Sequence, residues 1–319
     1  MKKNVFRLSA LLLCGALALT ACKKKSDATP DDSSTQTTTA QDQTDYARES
    51  NQTASDADVA LSASSSSGAR QATAAFSLTA VQGATIDTTD LIAKSRFVII
   101  YDGIHKTGAG TVRTGWDSVW IVPAGAKWHT AGTKLILKYE YTVTRFSGKT
   151  LVFQGTDTVT NVNGGNYAQL LEGTVKSYIT NHVGGANLTF DDGKQRKWWH
   201  TRNKTATYSN STSSFTISVA GDTVNGTNNI DTWGENRNGE TFYAEITTPI
   251  EWVINPASCS HWFDPVNGVI FHKGTGSGLT VTYGIDASGH TYNPINDCPY
   301  GYKLDWTYNS KSEELIISY

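Results

Sequence analysis

Thr133-Lys134-Leu135-Ile136-Leu137-Lys138-Tyr139-Glu140-Tyr141-Thr142-Val143-Thr144-Arg145-Phe146 alternates with a period of two. Leu135, Leu137, Tyr139, Tyr141 and Val143 fall on one face, and Lys134, Lys138, Glu140, Thr142 and Thr144 on the other. Successive side chains of a strand point to opposite sides, so this stretch reads as an antiparallel strand with one buried face and one wet face. Ser147-Gly148-Lys149 then turns the chain into Thr150 to Gln154, which makes a hairpin.

The same period recurs outward from this hairpin, in Leu188 to Phe190, Phe215 to Val219, Leu279 to Tyr283, Leu304 to Tyr308 and Leu315 to Tyr319. Turn chemistry separates the runs: Asp191-Asp192-Gly193-Lys194, Asn236-Arg237-Asn238-Gly239, Ala287-Ser288-Gly289 and Asn309-Ser310-Lys311-Ser312. No window after Ser95 carries a helical stripe. The expectation is an all-β fold, an antiparallel β-sandwich or curled β-meander of about fifteen strands. Gly-Thr dipeptides at Gly110, Gly132, Gly155 and Gly173 lie 22, 23 and 18 residues apart, close to one up-and-down strand pair but too irregular for a strict solenoid. Thr201 to Ser214 is the most polar stretch of the β-region, a possible subdivision.

Composition divides the 319 residues unevenly. All nine Trp lie at or after Trp116, and 26 of the 28 Gly at or after Gly83. The β-rich part is residues 76 to 319. From Lys23 to Ala75 the chain is dominated by Ser, Thr, Ala, Asp and Gln, with only Tyr46, Val59 and Leu61 offering appreciable apolar surface. Such a segment cannot bury enough to offset its conformational entropy, so residues 22 to 75 read as a disordered tether, spanning roughly 40 Å as a flexible coil. The competing reading is a transient helix within Asp45 to Ala63.

Lys2, Lys3 and Arg7 form a basic n-region before the apolar stretch Leu8 to Leu19, which is too short to span a bilayer and ends in Leu19-Thr20-Ala21-Cys22. That ending resembles the lipobox of bacterial lipoproteins. The resemblance implies a signal peptide over 1 to 21, cleavage before Cys22, and a diacylglyceryl and acyl (palmitate-type) anchor on Cys22. Several acyl chains hold a protein durably to a membrane, and the absence of Asp after Cys22 favours the cell outer membrane by analogy with lipoprotein sorting. Removing the signal takes three basic residues from 27, leaving 24 against 29 acidic ones and a net charge of −5. That balance gives no footprint for nucleic acid.

Cys259 and Cys298 are then the cysteines left, an even pair in an exported protein. They read as a disulfide closing a loop of about 39 residues, worth up to about 4 kcal/mol. Their spacing gives no metal motif. The last hundred residues loosely resemble uncharacterised exported β-rich lipoproteins, in Trp233 to Glu240, Cys259, Val281-Thr282-Tyr283-Gly284 and Cys298. This resemblance supplies export and all-β architecture, and no site residues.

Catalytic signatures are absent: no GxSxG, HExxH, P-loop or EF-hand loop occurs, and no cofactor is implied. The aromatic content points instead to binding. Arg196, Trp198 and His200 share one face of a strand, and Lys197, Trp199 and Thr201 the other. If a second layer covers both faces, both rings are core. If one face is wet, a tryptophan lies there beside a basic residue, a stacking platform for sugar rings or planar anions. Trp116 and Trp120, either side of Ser118, read as core. The functional expectation is a membrane-anchored lipoprotein whose β-domain binds glycan or cell-envelope material without catalysis. The alternatives are an envelope assembly component working through protein contacts and a secreted hydrolase with dispersed carboxylates.

Overall fold

The computed structural model describes residues 30–65, 81, 83–106, 111–145, 148–254, 264–274, 278–291, 298–308 and 311–318. One long helix, α1 (Pro30–Ser65), precedes β1 (Ala84–Asp87), the short α2 (Leu91–Lys94), β2 (Arg96–Lys106), β3 (Val112–Val122), β4 (Lys134–Thr144) and β5 (Thr150–Asn161). Then come α3 (Tyr167–Leu171), β6 (Tyr178–Thr189), β7 (Gln195–Ser209), β8 (Ser214–Val224), β9 (Thr227–Glu235) and β10 (Thr241–Ile254). The chain ends in β11 (Asn267–Gly274), β12 (Gly278–Ile285), β13 (Gly301–Tyr308) and β14 (Lys311–Ser318). The 14 strands form one antiparallel sheet in chain order, the curled meander expected from the period-two pattern. Between β7 and β10, strands β9 and β8 lie end to end, each pairing with both neighbours. The turns fall at their glycines, with Gly193 at φ +79° and Gly239 at φ +83°, where a side chain would be strained.

The sheet wraps around α1. Asp56 accepts from Tyr101 of β2, and Thr44 meets the hydroxyl of Tyr283 of β12. Nine strand spacings separate β2 from β12, since β8 and β9 share one position, ~43 Å across a flat sheet at ~4.8 Å each. Asp56 and Thr44 are only ~18 Å apart along the helix axis. Both contacts exist together only because the sheet curls.

This helix replaces the disordered tether expected for 22–75, at least over Pro30–Ser65, and the physical reason is charge rather than apolar area. α1 has no apolar stripe, yet Asp42, Gln43, Tyr46, Glu49, Ser50, Thr53, Asp56 and Asp58 are all buried. The inward face of the sheet meets them with cations and hydroxyls. Arg113 reaches Glu49 at 2.7 Å and Asp56 at 3.0 Å. Arg237 forks onto Asp42 at 2.6 and 2.8 Å. Lys204 donates to Ser55 at 2.8 Å, and Trp128 to Asp58 at 3.1 Å. Buried charges survive folding when paired in this way. Among the described residues no helix is long and apolar enough to cross a membrane.

Two apolar clusters fill the inside. One joins Tyr46, Leu137, Tyr141, Phe153, Leu188 and Trp198 under β2 to β8. The other joins Ile246, Ile270, Val281, Leu304 and Trp306 under β10 to β13. Residues 201–214 form the end of β7 and its turn into β8, and strand pairing continues through them. The two cations among them face inward: Arg202 pairs with Asp231 of β9 at 2.9 Å and donates to Ser50 of α1, and Lys204 donates to Ser55. Cys298 is disulfide-bonded. Cys22 and Cys259 lie outside the described residues, as does the whole of 1–21.

Candidate functional site

β7 carries all four residues singled out in the sequence, and its pleat divides them. Trp198 is 1% exposed. It lies edge-on to Tyr46 at 5.2 Å and to Phe242 at 4.8 Å, and its indole N–H donates to the Glu235 carbonyl at 2.6 Å. Trp198 is therefore a core residue, and the helix that covers it is the one read as a tether.

His200 also faces inward and is 1% exposed. Its Nδ1 lies 2.9 Å from the Tyr46 hydroxyl and its Nε2 3.6 Å from Asp157. Asp157, Gly184 and His200 are consecutive cross-strand partners on β5, β6 and β7. A Cβ on Gly184 would strike the Asp157 carboxyl, so glycine there lets carboxyl and imidazole meet over the strand between them. Tyr139 donates to Asp157 at 3.2 Å. Burial raises the Asp157 carboxyl to about 7 and pulls His200 well below the usual imidazole value. Burial, with Asp157 and Asp56 nearby, also keeps the Asp117 carboxyl protonated far above the ordinary range. This inner cluster is sealed by α1, with Tyr46 at 0% and Asp157 at 2% exposure. It is no ligand platform, which removes His200 from that role.

Arg196 lines the rim. Its guanidinium donates to the Asn236 and Arg237 carbonyls at 2.9 and 3.0 Å, clamping the β9–β10 turn, and lies 3.8 Å from Glu235.

Trp199 points the other way, onto the convex face. It is half-buried and lies nearly parallel to Trp233, its partner on β9, with centroids 6.4 Å apart and planes at 10°. Lys197 Nζ sits 5.1 Å from the ring centroid. A Cβ on Gly185 would come within 2.9 Å of the indole, so the bare backbone of β6 is what lets the ring lie across the strand. Beside it opens a groove of about 470 Å³ walled by Glu140, Gln154, Asn187, Lys197, Trp199 and Glu235. Its chemistry is an aromatic surface flanked by amides and by two acids and two bases, counting Arg196. Such a wall stacks and hydrogen-bonds a ligand.

Trp116 and Trp120 are not core. Both are half-buried on the convex face, and Arg96 lies 5.3 Å over Trp120. Sequence reasoning also missed Gln154, Asn187, Glu140 and Trp233, because only strand register brings them beside Trp199. Among the described residues no three His, Cys, Asp or Glu side chains converge to hold a metal ion. Neither a scan against protein-family models nor searches of curated proteins and of solved structures returns a match to this chain.

Proposed function

We propose that this chain is an exported lipoprotein, anchored through Cys22, that binds carbohydrate of the cell envelope or its surroundings on the convex face of its sheet, without catalysis. The observation that carries the reading is the outward Trp199, stacked on Trp233 beside Gln154 and Asn187. An aromatic face takes the C–H face of a sugar ring, while side-chain amides match hydroxyls that both donate and accept. The anchor rests on the lipobox resemblance, and a Cys259–Cys298 bridge belongs to the same exported setting. The carboxyls that burial raises, Asp117 and Asp157, lie beneath α1 rather than in an open cleft, so they lend the hydrolase alternative nothing.

Both halves can be tested on one preparation. Cells given labelled palmitate should label the wild-type chain and not Cys22→Ser. The full chain, purified in detergent, should bind neutral gluco-, manno- or xylo-oligosaccharides by isothermal titration, and Trp199→Ala should weaken binding roughly tenfold or more, which is about 1.4 kcal/mol. Absence of binding to all three series would refute the carbohydrate reading.

A further inference from the structure

We infer that the ligand is one extended, uncharged oligosaccharide lying across the strands, one end on Trp199 and the other on Trp116. This rests on the carbohydrate reading and adds to it the direction, length, charge and second ring subsite of the ligand.

Register carries the direction. Ile100, Trp116, Glu140, Gln154, Asn187 and Lys197 are consecutive cross-strand partners from β2 to β7. The neighbouring rung runs Val98, Ser118, Lys138, Thr156, Gly185, Trp199 and Trp233. Both rungs face outward. The convex face therefore carries one track perpendicular to the strands, with a tryptophan near each end and Glu140, Lys138, Gln154, Thr156, Asn187 and Gly185 between.

Length follows from the strand count. Trp116 and Lys197 are four strand spacings apart, or ~19 Å. That is several pyranose rings, more than one sugar can bridge. Each end has its own groove. The Trp116 groove, about 520 Å³, is lined by Arg96, Val98, Ile100 and Ser118 as well as Trp116. It is mostly apolar, and Ile100 is 45% exposed there. The middle of the track is polar and loosely engaged, since Gln154 donates to Glu140 at a long 3.4 Å and Asn187 is exposed. Those groups are free to re-pair with ligand hydroxyls.

Charge selects the class. The Trp199 groove holds Glu140 and Glu235 against Arg196 and Lys197, and Arg196 already serves two carbonyls and Glu235. Along the rest of the track Arg96 is paired with Asp90 at 3.0 Å and Lys138 adds one cation, so the path stays near balance. A polyanion would meet both carboxylates, whereas a neutral chain matches the balance.

The test is a length series. The full chain in detergent is titrated with neutral β-1,4-gluco-, β-1,4-manno-, β-1,4-xylo- and α-1,4-gluco-oligosaccharides, from disaccharide to hexasaccharide, alongside a sulfated oligosaccharide. For at least one series, affinity is expected to rise roughly tenfold up to about the tetrasaccharide and then level. Trp116→Ala should abolish that gain while leaving disaccharide binding, Trp116→Phe should keep most of it, and Trp199→Ala should weaken every length. An unchanged denaturant midpoint of the variants secures the comparison. Equal affinity at all lengths, a gain that survives Trp116→Ala, or tighter binding of the sulfated ligand would overturn the inference while Trp199-dependent binding kept the carbohydrate reading. No binding at any length would end both.

Discussion

At Trp198 and Trp199 a single peptide unit separates core from surface. Adjacency on a strand dictates that the two rings oppose, and that much is legible in the sequence. Which one is wet is decided by α1, whose Tyr46 covers Trp198 and His200. The same covering sets the protonation of Asp157, which faces Tyr139, His200 and Arg202 and stands at about 7 when folded against about 3.9 unfolded. A raised carboxyl holds its proton more tightly in the folded state. Its contribution therefore favours folding below about pH 4 and is lost as pH rises from there through about 7. His182 and His200 act oppositely, since burial lowers both and their contribution is lost as pH falls below about 6.5. Asp157→Asn isolates the carboxyl. The variant should gain on wild type by something on the order of 4 kcal/mol between about pH 4 and 8, levelling above about 7. Denaturant melts across that range check it, and a constant difference between the two proteins would show that Asp157 does not titrate there.

At the scale of elements, strands were readable and the helix was not. The run at Lys134–Thr144 and the turns at Gly148, Gly193 and Gly239 fall where alternation and turn chemistry put them, because both signals are local. α1 is invisible to such a reading since its partners are distant in sequence. Glu49 and Asp56 are buried by Arg113, more than fifty residues on. One signal was present: Arg202 and Lys204 share the inward face of β7 with Trp198 and Ala206, and inward cations need polar partners, which Asp231 of β9 and Ser50 and Ser55 of α1 supply. The pairing has a measurable signature. Burial keeps the two carboxylates dependent on Arg113, so Arg113→Met alone should cost about 3 to 5 kcal/mol by stranding them. Adding Glu49→Gln and Asp56→Asn should recover most of that loss, because neutral amides strand no charge. Chemical denaturation of the single, double and triple variants measures the coupling, and an undiminished loss in the triple variant would show that α1 is not held by these pairs.

For the whole molecule, the curl and the helix are one fact. A sheet of 14 strands in chain order accumulates twist but does not by itself choose what fills its concave side. Here the filling is α1, whose Tyr46 packs against Phe153 and Trp198 while Arg113, Arg202 and Lys204 bind its polar groups. Removing α1 would expose that aromatic floor to water and take from Arg113 and Lys204 their polar partners on the helix, while Arg202 would keep Asp231 of β9 at 2.9 Å. The two costs differ in origin and fall on the same surface. A chain beginning at residue 76, the boundary that composition suggests, should therefore lose near-UV circular dichroism and bind the dye ANS while keeping its far-UV strand signal. A synthetic peptide of residues 30–65 should restore the near-UV signal saturably, and a peptide of scrambled order should not. Salt should weaken the rescue, since ion pairs carry much of the docking. If the shortened chain melts and absorbs like the full one, the sheet holds its curl unaided and α1 is a passenger.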